Sequence, residues 1–143
     1  MGPASSAILF AVLALATLSD LRSRLIPNSL SLGGSLALVV VACLEGGPPA
    51  AGLALMGGFA ASVAPGLVHL AKPNGMGGGD VKLSFAIGCG LGPAGAIAVA
   101  LASFLAVSGA LARVPLDGRS ALRAELPFAP YLAAGALAAL CVA

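Results

Sequence analysis

The sequence predicts an all-α fold, a polytopic membrane protein built as a bundle of about six transmembrane helices with both termini extracytoplasmic. Three observations carry this. Of the 143 residues, 59% are apolar and 8% charged, with a mean hydropathy of +1.08, whereas a soluble domain carries roughly 25% charged residues. The apolar segments are continuous instead of alternating, which disfavours a transmembrane β-barrel and leaves the helix as the element that satisfies its own backbone in lipid. Finally, all seven Lys and Arg residues fall on one side of the membrane if the chain crosses it six times.

Apolar runs divided by helix-breaking residues lie at 4–19, 29–44, 50–71, 81–91, 94–112 and 128–142. The run at 81–91 is the shortest, about 16 Å as a helix against a bilayer core of about 30 Å, and charge argues for keeping it. Basic residues collect in cytoplasmic loops. Six spans with an outside N-terminus bring Arg22, Arg24, Lys72, Lys82, Arg113, Arg119 and Arg123 to one side and leave Glu45 opposite. Without the span at 81–91, Arg113, Arg119 and Arg123 would face outward. Residues 4–19 lack a preceding basic segment and carry their positive charges afterwards, the reverse of a secretory signal, so they are read as the first span. Residues 1–143 are read as one domain.

The breakers have conventional roles. Pro27 stops the first helix and Asn28 or Ser29 caps the second, while Gly46-Gly47-Pro48-Pro49 makes an outer turn. Pro65 is expected to kink the third span, and Gly92-Pro93 to turn the fourth into the fifth. Small residues allow close approach of helices in lipid. Ala94, Ala98, Ala102, Ala106 and Ala110 form one such stripe, and Ser84, Gly88 and Gly92 another; both are assigned to packing alone. The charged stretch 113–125 has room for an interfacial helix.

A net charge of +2, with the basic residues in ones and twos, excludes a nucleic-acid surface. Cys43, Cys89 and Cys141 stand apart with only His69 as a possible imidazole partner, so they are read as packing residues and no metal site is predicted. A carboxylate at the edge of hydrocarbon is costly and is by default a functional hypothesis. Asp20, ending the first run, and Asp80, opening the fourth, are the two such residues; Glu45, Asp117 and Glu125 sit in solvated loops. The bland alternatives are a polar residue ending a span and a helix cap. Asp80 closes the run Gly75-Met76-Gly77-Gly78-Gly79, read as a loop in which Gly77 and Gly79 supply backbone freedom and close approach. Lys82 either steers an acidic group or anchors the span at the interface. Arg22 and Arg24 are read as topogenic, and His69 as a satisfied polar residue.

These residues resemble a known pattern. Gly77-Gly78-Gly79-Asp80 matches the Gly-x-Gly-Asp motif of intramembrane aspartic proteases, and the fuller stretch to Lys82-Leu83 is similar to type IV prepilin peptidases. Asp20 followed by Ile26-Pro27-Asn28 looks like that family's first site, and Pro127-Phe128-Ala129-Pro130 like its Pro-Phe-Gly-Pro stretch, with Ala129 in place of glycine. Presenilins fit less well, because Ser19 precedes Asp20 where they have tyrosine and the chain is far shorter. The resemblance implies that Asp20 and Asp80 are catalytic, with Gly77, Gly79, Lys82, Pro27 and Asn28 shaping the loop and positioning the substrate. The implied substrate is the short basic leader of a prepilin or pseudopilin, cut after the glycine that ends it, at the cytoplasmic face of a bacterial inner membrane. The chain looks like the short, protease-only form found with tight-adherence (Flp-like) pili, and processing without methylation is expected.

The chemistry also follows from the residues alone. Two nearby carboxyls cannot both ionise easily, so they share a proton: the charged one deprotonates water while the neutral one protonates the peptide. No cofactor is needed. Helix polarity makes Asp80, opening a helix, the expected base and Asp20, near the end of one, the acid. A carrier subunit that uses both aspartates to bind an ion or relay protons is the competing reading, although the halves of the chain show no inverted repeat. A structural assembly subunit would leave the acids unexplained. Lipid and the leader peptide are the predicted partners, and nothing in the sequence sets an oligomeric state.

Overall fold

The computed structural model describes residues 2–23, 25–71, 77–117 and 128–142, and every side chain within them except those of 113–117 and 141–142. Arg24, Lys72, Gly75, Met76, Arg119, Arg123, Glu125 and Pro127 lie outside the described residues, as do the side chains of Arg113, Asp117 and Cys141. Every element described is a helix: α1 (Pro3–Ser23), α2 (Asn28–Ala71), α3 (Gly78–Leu91), α4 (Ala94–Asp117) and α5 (Ala129–Val142). The all-α class is therefore as expected.

The 44 residues of α2 are two helices joined at a bend, because Gly47 adopts φ 73° and ψ −173°. Glycine reaches that conformation without steric cost, and Pro48 and Pro49 supply no N–H to carry a helical ladder through the bend. This is the turn expected at Gly46-Gly47-Pro48-Pro49. Before it, α2 runs back along α1, with Gly34 against Val12 and Glu45 against Ser5. After it, α2 returns along α3, with Gly57 against Gly92, Gly58 against Phe85 and Gly66 against Val81. Gly47 is the one non-helical residue within α2, so Pro65 keeps helical backbone angles. The apolar runs thus become helical segments that alternate in direction between two ends of one bundle.

Three of these helices are long and apolar enough to cross a membrane: α1, α2 and the stretch Ala94–Ala112 of α4. Both α3 and α5 have 14 residues, which rise about 21 Å as a helix. Outward-facing Leu15, Leu36, Met56, Phe59, Leu67 and Phe104 are each more than half exposed, a surface suited to lipid and costly in water.

Close backbone approach holds the bundle, as expected where lipid removes the hydrophobic drive between helices. A Cβ on Gly57 would lie 2.5 Å from the Gly92 carbonyl, and one on Gly88 would collide with the Gly57 backbone. Gly95 packs in turn on Gly88. On the other stripe Ala98 and Ala102 are fully buried beneath α5, where Gly135 leaves no room for a Cβ against the Ala98 carbonyl. Leu9 and Leu13 of α1, Leu83 and Ile87 of α3, and Leu132 of α5 fill the centre. Phe59 and Phe85 meet edge to face, with ring centroids 5.2 Å apart.

Candidate active site

One end of this bundle gathers the last turn of α1 and the first turns of α2, α3 and α5, and with them the motif residues. Asp20, in the last turn of α1, is 6% exposed. Its Oδ2 accepts a hydrogen bond of 3.0 Å from the backbone N–H of Ala129, the first residue of α5. Asp80 is the third residue of α3, and it lies near enough to Asp20 for that charge to act on it directly.

The glycine segment differs from the loop expected. Gly77 is the N-cap of α3 with ordinary extended angles, φ −67° and ψ 141°, and Gly78 and Gly79 already belong to the first turn. The Asp80 N–H donates to the Gly77 carbonyl at 3.1 Å, and the Asp80 carboxyl is hydrogen-bonded in return to the backbone at Gly77. That return bond is half of a capping box, so the bland cap reading and proximity to Asp20 hold together. Freedom of φ is therefore not what Gly77 and Gly79 supply. What they supply is space: a Cβ on Gly77 would lie 3.3 Å from Asp80 Oδ2, and one on Gly79 3.1 Å from the Ile26 side chain.

Ile26-Pro27-Asn28 thus lies directly on the start of α3. Pro27 does not simply stop α1, which ends at Ser23; its carbonyl accepts from Leu30 N (3.1 Å) and Ser31 N (3.3 Å) and so opens α2. Asn28 is not a side-chain cap here, because its Oδ1 accepts 2.8 Å from Lys82 Nζ, which ties α2 to α3 on the exposed rim. Ser19 Oγ donates 2.7 Å to the Leu25 carbonyl and fixes the connection beside Asp20.

Asp80 precedes Val81, where the apolar run begins, and so stands at the polar edge. Burial first, and the Asp20 charge second, push its carboxyl up to about 6, against the backbone hydrogen bond at Gly77. A family model for type IV leader peptidases matches residues 7–112, about three-quarters of the chain, including both aspartates and Lys82. The chain belongs to the type IV leader peptidase family. No curated protein and no solved structure matches it significantly. As a leader peptidase with long apolar helices, it is a peptidase of the membrane.

Two features of this leader peptidase were not singled out from sequence. One is the Ala129 N–H, for a backbone donor leaves no mark on a sequence, although the Phe128-Ala129-Pro130 stretch resembled the family's. It also alters the polarity argument, since Asp20 sits at the end of α1 and at the start of α5 together. The other is His69, read from the sequence as a satisfied polar residue at the inner end of a span. Its ring lies 3.8 Å from the Cβ position of Gly78, beside the glycine segment.

Proposed function

We propose that this single-domain chain, residues 1–143, is an aspartic endopeptidase that removes the basic leader of a type IV, Flp-like prepilin or pseudopilin with Asp20 and Asp80 as its dyad. The observation that carries the reading is the meeting of two aspartates far apart in sequence, one buried, at the end of the bundle where all three motif segments converge. Gly77 and Gly79 leave room at the site, and Lys82 with Asn28 and Pro27 forms its rim.

In this reading Asp20 acts as the base and Asp80, whose carboxyl is pushed up to about 6, as the acid. Asp20 takes a proton from water, whose oxygen attacks the scissile carbonyl carbon, while Asp80 gives its proton to the carbonyl oxygen. Collapse of the resulting diol breaks the C–N bond as a proton passes from Asp20 to the leaving nitrogen and Asp80 recovers its own. Preorganised donors and acceptors at such a pair act where charge develops. The chain crosses a bacterial inner membrane six times with both termini outside, which sets the dyad at the cytoplasmic edge beside the basic residues.

The test is cleavage of a synthetic prepilin peptide by the purified protein in detergent. The wild type is expected to cut after the leader's last glycine, and Asp20→Asn and Asp80→Asn each to abolish cutting. A near wild-type rate from either variant would sink the dyad.

A further inference from the structure

The start of α5 is built so that one backbone donor is left over, and that donor is the one that meets Asp20. Phe128 has no side-chain oxygen with which to cap the helix. Its carbonyl accepts from both Tyr131 N (3.0 Å) and Leu132 N (3.1 Å). Pro130 has no N–H at all. Of the first-turn amides that helices leave unpartnered, only that of Ala129 remains, and it donates to Asp20 Oδ2 from a residue with no exposed surface. The cap of α5 is thus supplied by a carboxylate 109 positions earlier in the chain.

We propose that the Ala129 N–H is a positioning group of the active site: by holding Asp20 Oδ2 it fixes the carboxylate's orientation and leaves Oδ1 to take the proton from water. This rests on the dyad reading given above. A free carboxylate at a helix end rotates about its χ2 torsion, which is broad for aspartate. A base with one oxygen pinned by a buried donor presents the other in a set direction, and such preorganisation is worth large factors in rate. The same bond breaks the symmetry of the pair, because one carboxyl has an amide donor from a neighbouring helix and the other the capping contact at Gly77.

Among the described side chains, the titratable groups on the elements packed against Asp20 are Asp80, Lys82 and Cys89 of α3, Cys43, Glu45 and His69 of α2, and Tyr131 of α5, with Arg22 on α1 itself. Glu45 bonds Ser5 at the opposite end of α1. None of these is changed by an alteration confined to the amide at 129, so a change in pH profile reports on the Asp20 contact.

The decisive variant replaces Ala129 by lactic acid, which exchanges the N–H for an ester oxygen and retains the methyl side chain. Ala129→Pro removes the same N–H at a first-turn position where proline is tolerated, and Ala129→Gly keeps the N–H. Rates are measured on the synthetic prepilin peptide from pH 4.5 to 8. Loss of a hydrogen bond to a charged group should lower kcat by about tenfold or more with little change in KM, and move the acidic limb of the pair's pH–rate profile up by about one unit. Ala129→Gly, which keeps the N–H, should leave the acidic limb in place whatever its rate. The proposal is overturned if the ester variant keeps the wild-type rate and profile, or if it loses rate with no movement of the acidic limb. If Ala129→Pro does not accumulate, the ester and glycine variants decide. Asp20→Asn, run alongside, separates the two readings: an active Asp20→Asn removes the dyad itself, whereas an inactive Asp20→Asn beside a fully active ester removes only the role of Ala129.

Discussion

Replacing Asp80 by Asn should stabilise the fold as it removes activity, with pH setting the size of the gain. Asparagine keeps the size and hydrogen-bonding capacity of the aspartate without its charge. In the wild type, burial and the Asp20 charge raise the Asp80 carboxyl from 3.8 to about 6. An acid whose pKa is higher folded than unfolded binds more protons in the native state, so stability falls as pH rises between the two values. Below about pH 4 both states are protonated and the substitution gains nothing; above about pH 6 the native state bears the whole penalty. A shift of about two units corresponds to roughly 3 kcal/mol. Asp80 is half-buried, so solvent screens part of its charge, and the expected gain at pH 7.5 is about 1–3 kcal/mol. Thermal unfolding of both proteins in the same detergent, followed from pH 4 to 7.5, reads this directly, with cleavage assayed in parallel. The two stability curves should coincide at the acid end and separate across pH 4–6. A constant offset, or a variant less stable than wild type at pH 7.5, would refute the account of Asp80 as a buried acid repelled by Asp20.

Three further outcomes are expected. Gly79→Val should lose most cleavage while still accumulating, since its Cβ would press on Ile26 at 3.1 Å and displace the start of α3; wild-type turnover in the peptide assay would show that the close contact does not matter. Gly88→Val should fail at the level of folding, because the added atoms meet Gly57 backbone, which cannot yield as a flexible side chain does; overpacking of this kind costs about 1–3 kcal/mol or more, and normal accumulation and unfolding temperature would contradict it. Cysteines introduced singly at 119 or 123 should be labelled only from the cytoplasm, and labelling from outside would remove both the six-span topology and the cytoplasmic site.

The bundle was legible because its rules are local and compositional. Continuous apolar runs, the Gly-Pro cluster at Gly46–Pro49 and the small-residue stripes each act through backbone geometry close to the residues that carry them, and the helices begin and end near those signals. Asp20 and Asp80 stood out for the same reason: an acid beside hydrocarbon is costly wherever the chain goes. The detail that failed was the state of the glycines. A run of glycines suggests left-handed backbone, yet the positive φ angles among the described residues fall at Gly47 and Gly92, at the other end of the bundle. At Gly79 the missing Cβ matters because Ile26 lies against it, and that neighbour comes from a different segment. The surroundings of Asp20 were likewise only partly legible. A helix-end argument confined to α1 makes Asp20 the acid, but α5 arrives at the same carboxylate with an unpartnered amide. The sequence shows Pro130 and a residue at 128 that cannot cap, which together say that α5 needs an external acceptor; they do not say which one. Only the packing of α5 against α1 supplies Asp20, so the partner of that carboxylate is a tertiary property, whereas the two aspartates themselves are already marked in the chain.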